Sequence, residues 1–514
     1  MTKIKNLIIG VFAASTLFLV SCGNDDKQEN ANTISKQEQL YNMLTTVESP
    51  SVLTSVNLMQ LLEKSNILES KEVPQQMKGI VNGQIKQHLN SEQQGFKLEG
   101  NIPFIVSNKE NGDFGYMVSA FEVLDAKKIG PSLCMYFGGN VVTENEISIL
   151  KIQIPQTEQS GAFVWDNDFL VFVYSNESHS EQVGLNLLKA KNTSATDNKV
   201  FKEFLNKKDD IASTFIMKNY IKASNKISET TMDDELLAVY DDMIVSTASN
   251  FNPGEFIFEY DVDGQKYLDS KFNPIGNHPI DASFNDFISE DGKLIFFASS
   301  VLNMDAIVNS MEQTHTNSSE WESEVKKLGV TPKDLSSAFD GNFMLSLLNI
   351  EMLEDAGEEI PRVLFSCGIK DETILHQLLT NNPEVGKINN YYKTEETFVA
   401  IANQKLFVSL SEDLIAKLAN GEKLTSFSTN INSPLYGELI TDMNQLPDYY
   451  KNALLKDGGE EILKLYNEVK AVKFNGTAQH GTLDVKLNKE GNSFELLMNT
   501  IIKTTLPLIM QGMM

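Results

Sequence analysis

Seventy aspartates and glutamates stand in this chain against 43 lysines and arginines, so chemistry by paired carboxylates is the first to look for. Glycoside hydrolysis needs two carboxyl groups roughly 5–10 Å apart in an aromatic-lined cleft. Abundance is not placement: Glu351, Glu354, Asp355, Glu358 and Glu359 recur at helical spacing before Pro361 and read as a solvated helical face. The turn Asp261-Val262-Asp263-Gly264 has the look of a calcium loop, but with Gly264 as its sixth position the twelfth is Ser270, where a bidentate glutamate is required. A hairpin turn is the expectation there.

The other reactive types are equally scattered. His88, His179, His278, His315, His376 and His480 have no second His or Cys at zinc-clasping spacing, so no metal and no cofactor is expected. No nucleophile elbow, Ser-x-x-Lys pair, phosphate loop or dinucleotide fingerprint stands in a fitting context. Cys134 and Cys367 lie in apolar, strand-like runs and are expected as buried thiols. Arg362 is the chain's one arginine, which leaves no arginine fork for a phosphate site. Trp165 and Trp321 are the only tryptophans, too few for a stacked glycan platform, and the pairs Tyr391-Tyr392 and Tyr449-Tyr450 stand in loop-like or helix-end settings as half-buried packing or partner anchors.

A different chemistry is written at the N-terminus. Lys3 and Lys5 precede an apolar run from Leu7 to Val20, the layout of a signal-peptide n-region and h-region. Leu19, Val20 and Ser21 then lead into Cys22, and the four residues resemble the bacterial lipobox. The resemblance implies cleavage before Cys22, a diacylglyceryl thioether on its sulfur and an acyl group on its amine. Each buried methylene adds about 0.8 kcal/mol, so two or three chains hold a protein on a bilayer where one does not. Asp25 and Asp26 follow at once and resemble the export signal that brings Bacteroidetes lipoproteins to the cell surface. Periplasm-facing attachment to the outer membrane is the alternative. Phe494 to Met514 is apolar but broken by Lys503 and Pro507, and is expected to pack as a C-terminal element.

The remaining composition narrows the partners. Loss of the segment 1–21 removes two lysines and no acids, so the formal charge moves from -27 to -29. Such a surface repels polyanions and offers no clustered lysines to displace counterions, so no nucleic acid is expected. With 41% hydrophobic residues the chain can bury substantial cores.

The elements that would position any site occur twice. Val52 to Val56 alternates like a strand and runs into Leu58, Leu61 and Leu62; Ile295 to Ala298 runs likewise into Val301, Met304 and Ile307. A hairpin at Phe163–Val173, turning at Asp166-Asn167-Asp168, matches one at Phe398–Leu410, turning at Asn403-Gln404, and helices capped by Ser180 and Ser411 follow. Glu235–Tyr240 matches Glu461–Tyr466, each followed by two strands around an acidic turn, at Asp261–Gly264 and Lys489–Asn492. Helices are expected at Glu48–Glu69, Leu185–Lys191, Ser319–Leu328, Asp371–Leu379 and Gly459–Val469, with a junction at Asn277–Glu290. The fold class is therefore α+β: two tandem duplicated units of mainly antiparallel sheet, helices on one face, at 48–280 and 281–514, behind a signal peptide at 1–21 and a flexible tether at 22–47.

The lipobox, the tether and the run Val52-Leu53-Thr54-Ser55-Val56-Asn57-Leu58, with Leu61-Leu62-Glu63-Lys64-Ser65, resemble a family of uncharacterised Bacteroidetes lipoproteins classed as a domain of unknown function. Glu48-Ser49-Pro50-Ser51 departs from the alanine-aspartate turn of that pattern. The resemblance implies a lipid-anchored envelope protein and brings no catalytic residues. The expectation is a non-enzymatic protein, membrane-bound through its lipid, that binds an unknown protein or small ligand. A hydrolase using carboxylates between the two units is the alternative.

Overall fold

The computed structural model describes residues 35–499 apart from 67–68, 72–77, 80–82, 84–89, 154–158, 178, 194–196, 229–231, 233, 289–293, 314–328, 354–357, 396, 425–430, 440–451, 453–466 and 489–490. The chain mixes helix and antiparallel strand and divides into two compact units. One comprises Met1–Ser228, Ile244–Pro253 and Gly491–Met514; the other comprises Glu229–Met243 and Gly254–Glu490.

The first unit holds strands β1 (Pro50–Asn57), β2 (Asn101–Asn108), β3 (Phe114–Glu122), β4 (Val141–Glu144), β5 (Ile147–Gln153), β6 (Ser160–Trp165), β7 (Phe169–Ser175), β8 (Ile211–Ile216) and β9 (Ile244–Asn252). They pair antiparallel in the order β9-β8-β1-β2-β3-β7-β6-β5-β4. Alternation sorts the side chains. Leu53, Ile105, Val118 and Val173 face Leu187 and Leu188 of the Ser180–Ala190 helix, Met43 and Leu44 of the Lys36–Leu44 helix, and Phe201 and Phe204. Ile102, Phe121, Phe163 and Leu170 face the other way, onto Met59 and Leu62 of the Leu58–Ser65 helix and Ile129 and Leu133 of the Ala126–Phe137 helix. Helices thus cover both faces, not the one expected, because buried apolar residues stand at odd and even positions alike.

The second unit holds β10 (Glu255–Asp263), β11 (Phe296–Val301), β12 (Phe339–Leu353), β13 (Glu358–Ile369), β14 (Gly386–Ile388), β15 (Tyr391–Lys393), β16 (Phe398–Ala402), β17 (Lys405–Ser409), β18 (Leu435–Leu439), β19 (Val469–Gly476) and β20 (His480–Leu487). Their order is β10-β20-β19-β18-β11-β12-β13-β17-β16-β15-β14. Phe297, Met344, Leu364 and Phe407 bury against Phe284 and Phe287 of the 3-10 turn Ala282–Phe287 and against Leu414, Ile415 and Leu418 of the Glu412–Ala419 helix. Ile369 faces the other way, onto Leu375 of the Glu372–Asn381 helix. The strands of neither unit close into a barrel among the described pairings, and among the described residues no helix is long and apolar enough to cross a membrane.

From β9 to β4 in one unit and from β19 to β14 in the other, nine strands follow the same spatial order, each index raised by ten. The helix after β1 is capped by Asn57, which accepts from Gln60 N at 3.2 Å; after β11, Asn303 accepts from Ala306 N at 3.2 Å. Asp125 caps the helix after β3 and Asp371 the helix after β13. The same number of residues separates Asn57 from Asn303 as Asp125 from Asp371.

Several local expectations fail. Glu48–Glu69 is not one helix, because β-branched alternation over Pro50–Asn57 makes β1 first. Of the acidic run, Glu351 belongs to β12 and Glu358 and Glu359 to β13, not to a helical face, while Glu354 and Asp355 lie outside the described residues. Asp261 and Asp263 end β10 and Gly264 precedes a short helix; the hairpin turn falls at Pro253-Gly254, and its counterpart at Thr477–Gln479 precedes Lys489–Asn492. Within the expected junction Asn277–Glu290, Phe284 and Phe287 enter the core, and 289–290 lie outside the described residues. His179, not Ser180, is the N-cap of its helix. The Ser319–Leu328 helix and Glu461–Tyr466 lie outside the described residues.

Candidate functional site

The feature that concentrates binding chemistry is a groove in the first unit, between the Ala126–Phe137 helix and strands β4 to β6. Asp125 fixes the helix start by accepting from Lys127 N at 3.1 Å. Ile129 and Leu133 bury, while Gly130 faces the groove: a Cβ there would stand 3.1 Å from Val141 and 3.5 Å from the Trp165 ring. Pro131 sits inside the helix, where its missing N–H leaves the Lys127 carbonyl without the usual helical donor. Gly138 and Gly139, at φ +68° and +86°, reverse the chain into β4. Asn145 and Glu146, at φ +50° and +66°, then form the two-residue turn into β5. Both positions are left-handed, as a type I′ turn demands, and glutamate occupies one where glycine is usual.

These elements enclose a cavity of about 620 Å³ with Trp165, Val141, Pro131 and Cys134 as apolar lining and Thr143, Ser148, Asp166, Asn167, Glu146 and Lys127 as polar lining. Trp165 Nε1 donates to Ala126 O at 3.3 Å, so the indole, 2% exposed, backs the groove with its polar atom already satisfied. Met135 and Val142, beside the groove in sequence, are 58% and 52% exposed. An apolar floor, a polar rim and an open side are what a ligand or peptide side chain requires.

Several charged groups, Asp166 of the groove among them, satisfy one another. Lys191 Nζ contacts Asp166 at 2.6 Å and also Asp168, whose carboxylate accepts from Lys36 at 2.8 Å. Burial pushes the Asp168 carboxyl up, but Lys191 and Lys36 outweigh it and hold it below the usual range. Lys64 binds Asp210 at 2.6 and 2.8 Å, and the buried Asp210 also accepts from Phe251 N. Arg362 binds Asp413 through two hydrogen bonds. A second cavity, of about 530 Å³, runs between the Lys36–Leu44 and Lys199–Leu205 helices. Its polar groups are likewise engaged: Tyr41 Oη accepts from Asn198 N at 2.6 Å and Lys202 pairs with Asp197 at 2.7 Å. Among the described residues no three His, Cys, Asp or Glu converge as metal ligands.

Leu19, Val20, Ser21, Cys22, Asp25 and Asp26 lie outside the described residues, as do Trp321, Tyr449, Tyr450, His88 and His315. Cys134 lies on a helix, half-buried, where a strand was expected, because Ile129, Leu133 and Cys134 face the sheet at helical spacing; Cys367 is buried in β13. Tyr391 and Tyr392 form β15 and are buried, not loop anchors: Tyr391 Oη donates to Glu412 at 2.6 Å and Tyr392 Oη lies 2.9 Å from His376 Nδ1. The groove itself was missed from sequence, although Gly130-Pro131 within an amphipathic helix and Asn145-Glu146 between alternating strands both mark it.

Comparison with family models, with curated proteins and with solved structures gives no match.

Proposed function

We propose that this chain is a non-enzymatic, lipid-anchored cell-envelope protein that binds a partner through a unit it carries in two copies. The observation that carries the binding role is the Trp165 groove, open and apolar-floored, in a molecule whose charged clusters are spent on one another. An acidic surface steers such a protein away from polyanions and toward basic partners.

Duplication is supported by the shared nine-strand order and by the matched asparagine and aspartate caps. A further correspondence is chemical. Lys36, in the helix before β1, lies over the Phe169 ring at the start of β7 at 5.3 Å; Lys405, at the start of β17, lies over Phe284 in the turn before β11 at 4.6 Å. The same two places hold a lysine and a ring, with the partners exchanged.

The anchor rests on the run Leu19-Val20-Ser21-Cys22, and the surface location on Asp25 and Asp26. Cells expressing the full chain with a tagged fatty acid in the medium test it. Wild type is expected to carry the label and partition into detergent, and Cys22→Ala to carry none. Equal labelling of both would overturn the lipobox assignment.

A further inference from the structure

Resting on the reading of the groove as a partner site, we propose that its occupant is an extended peptide of alternating apolar and lysine residues, added as a strand to the free edge of β4.

Strand β4 ends the sheet of its unit, pairing with β5 alone among the described residues. Glu144 and Ile147 flank the two-residue turn as a hydrogen-bonded pair, so the Thr143–Ser148 and Val141–Leu150 pairs are the non-hydrogen-bonded ones. The N–H and C=O groups of Val141 and Thr143 therefore point away from β5. No described backbone group takes them. Val142, Thr143 and Glu144 are exposed, so nothing among the described residues covers the edge. Natural edges are protected by shortness, charge, proline or a covering element; β4, Val-Val-Thr-Glu, is short and carries one carboxylate but has neither lysine nor proline.

The side chains that share Val141 and Thr143's direction line the Trp165 cavity. An added strand would turn every second residue into that cavity and the intervening ones toward the Val142 and Glu144 face. The first set meets an apolar floor. The second meets Glu144; Glu146 stands at the turn on the rim of the cavity, and neither carboxylate has an ion-pair partner among the described residues. Apolar residues alternating with lysine answer both faces.

The second unit marks the difference. By the offset that matches Asp125 to Asp371, His376 takes the place of Gly130, and there it meets Tyr392 Oη at 2.9 Å, tying the helix to β15. In the first unit the glycine instead lets Val141 and the Trp165 ring come close to the helix.

The test uses the full chain carrying Trp321→Phe, so that Trp165 is the one tryptophan, with the probe acetyl-Lys-Val-Lys-Val-Lys-Val-Lys-amide and its glutamate counterpart. The lysine peptide is expected to shift Trp165 emission and to slow hydrogen exchange at Val141 and Thr143. Thr143→Pro removes an outward N–H without touching the bonds to β5, and is expected to weaken binding about tenfold or more, roughly 1.4 kcal/mol per tenfold. Gly130→Leu fills the cavity and should act likewise, and Glu144→Lys with Glu146→Lys should reverse the preference between the two peptides. Circular dichroism checks that each variant folds. Equal binding of both peptides, no binding of either, or binding indifferent to Thr143→Pro overturns the proposal. A native partner that crosslinks elsewhere, leaving β4 exchange unchanged, also overturns it, while the broader binding role stands.

Discussion

The guanidinium of Arg362 holds both carboxylate oxygens of Asp413, at 3.1 and 2.7 Å, and so ties β13 to the first turn of the Glu412–Ala419 helix. Arg362 is 5% exposed and Asp413 56%, so one partner has given up its water and the other has not. A lysine could not supply that two-pronged grip.

Burial pushes the Asp413 carboxyl up, but Arg362 and Ser411 prevail and bring it down to about 2. A folded-state value below the unfolded one, about 3.9, gives stability that is present above pH 4 and is lost as pH falls toward 2. Asp413→Asn should lose about 2 kcal/mol at pH 7, less than for a fully buried pair because Asp413 keeps much of its water. Urea unfolding at pH 7 and pH 2.5 checks this: the gap between wild type and variant should shrink at the lower pH. A gap that stays constant would detach Asp413 from the acid sensitivity.

Lys405 supplies the opposite sign. Its ammonium is buried over Phe284 and Phe287 and donates to Ser283 Oγ at 2.7 Å; burial lowers its pKa, with nearby Asp281 and Asp340 acting the other way. A lysine whose folded value is lowered binds fewer protons folded than unfolded just below about pH 10.4, so stability should rise with pH through that window. Lys405→Met should remove the rise and cost less than about 1.5 kcal/mol at neutral pH, since volume and apolar contact are kept. Unfolding followed from pH 7 to 10.5 decides it. A parallel pH profile in the variant would contradict the assignment.

Gly184 marks where the Ser180–Ala190 helix rests on β6 and β7. A Cβ at this site would stand 2.6 Å from Val164 Cγ2 and 3.1 Å from its Cβ. In a free helix alanine would gain about 1 kcal/mol over glycine. Here the clash should reverse that, and Gly184→Val should cost about 2–3 kcal/mol by overpacking. Thermal unfolding of Gly184→Ala and Gly184→Val tests the contact, and relief is expected when Val164→Ala is added. An unaltered midpoint in Gly184→Val would mean that the helix does not seat closely there.

The sequence made parts of this fold legible and hid others for physical reasons. Strands β6 and β7, and β16 and β17, could be read because apolar alternation runs up to a short polar turn on each side. The matched caps Asn57 and Asn303 were overlooked because single asparagines carry no signal until helices are known to start after them. Asp261–Gly264 misled because an acidic, glycine-ended run suits a turn as well as a strand end. The groove went unread for another reason: Gly130-Pro131 and Asn145-Glu146 mark its parts, but Gly130, Thr143 and Trp165 meet only once β4 to β6 are paired.

The measurement that bears most directly on the central claim is crosslinking on intact cells expressing the full chain, with Cys22→Ala as the unanchored control, followed by purification and mass spectrometry. The account predicts one envelope partner in stoichiometric yield with the wild-type chain and its loss in Cys22→Ala. Repeated recovery of the protein alone would contradict it.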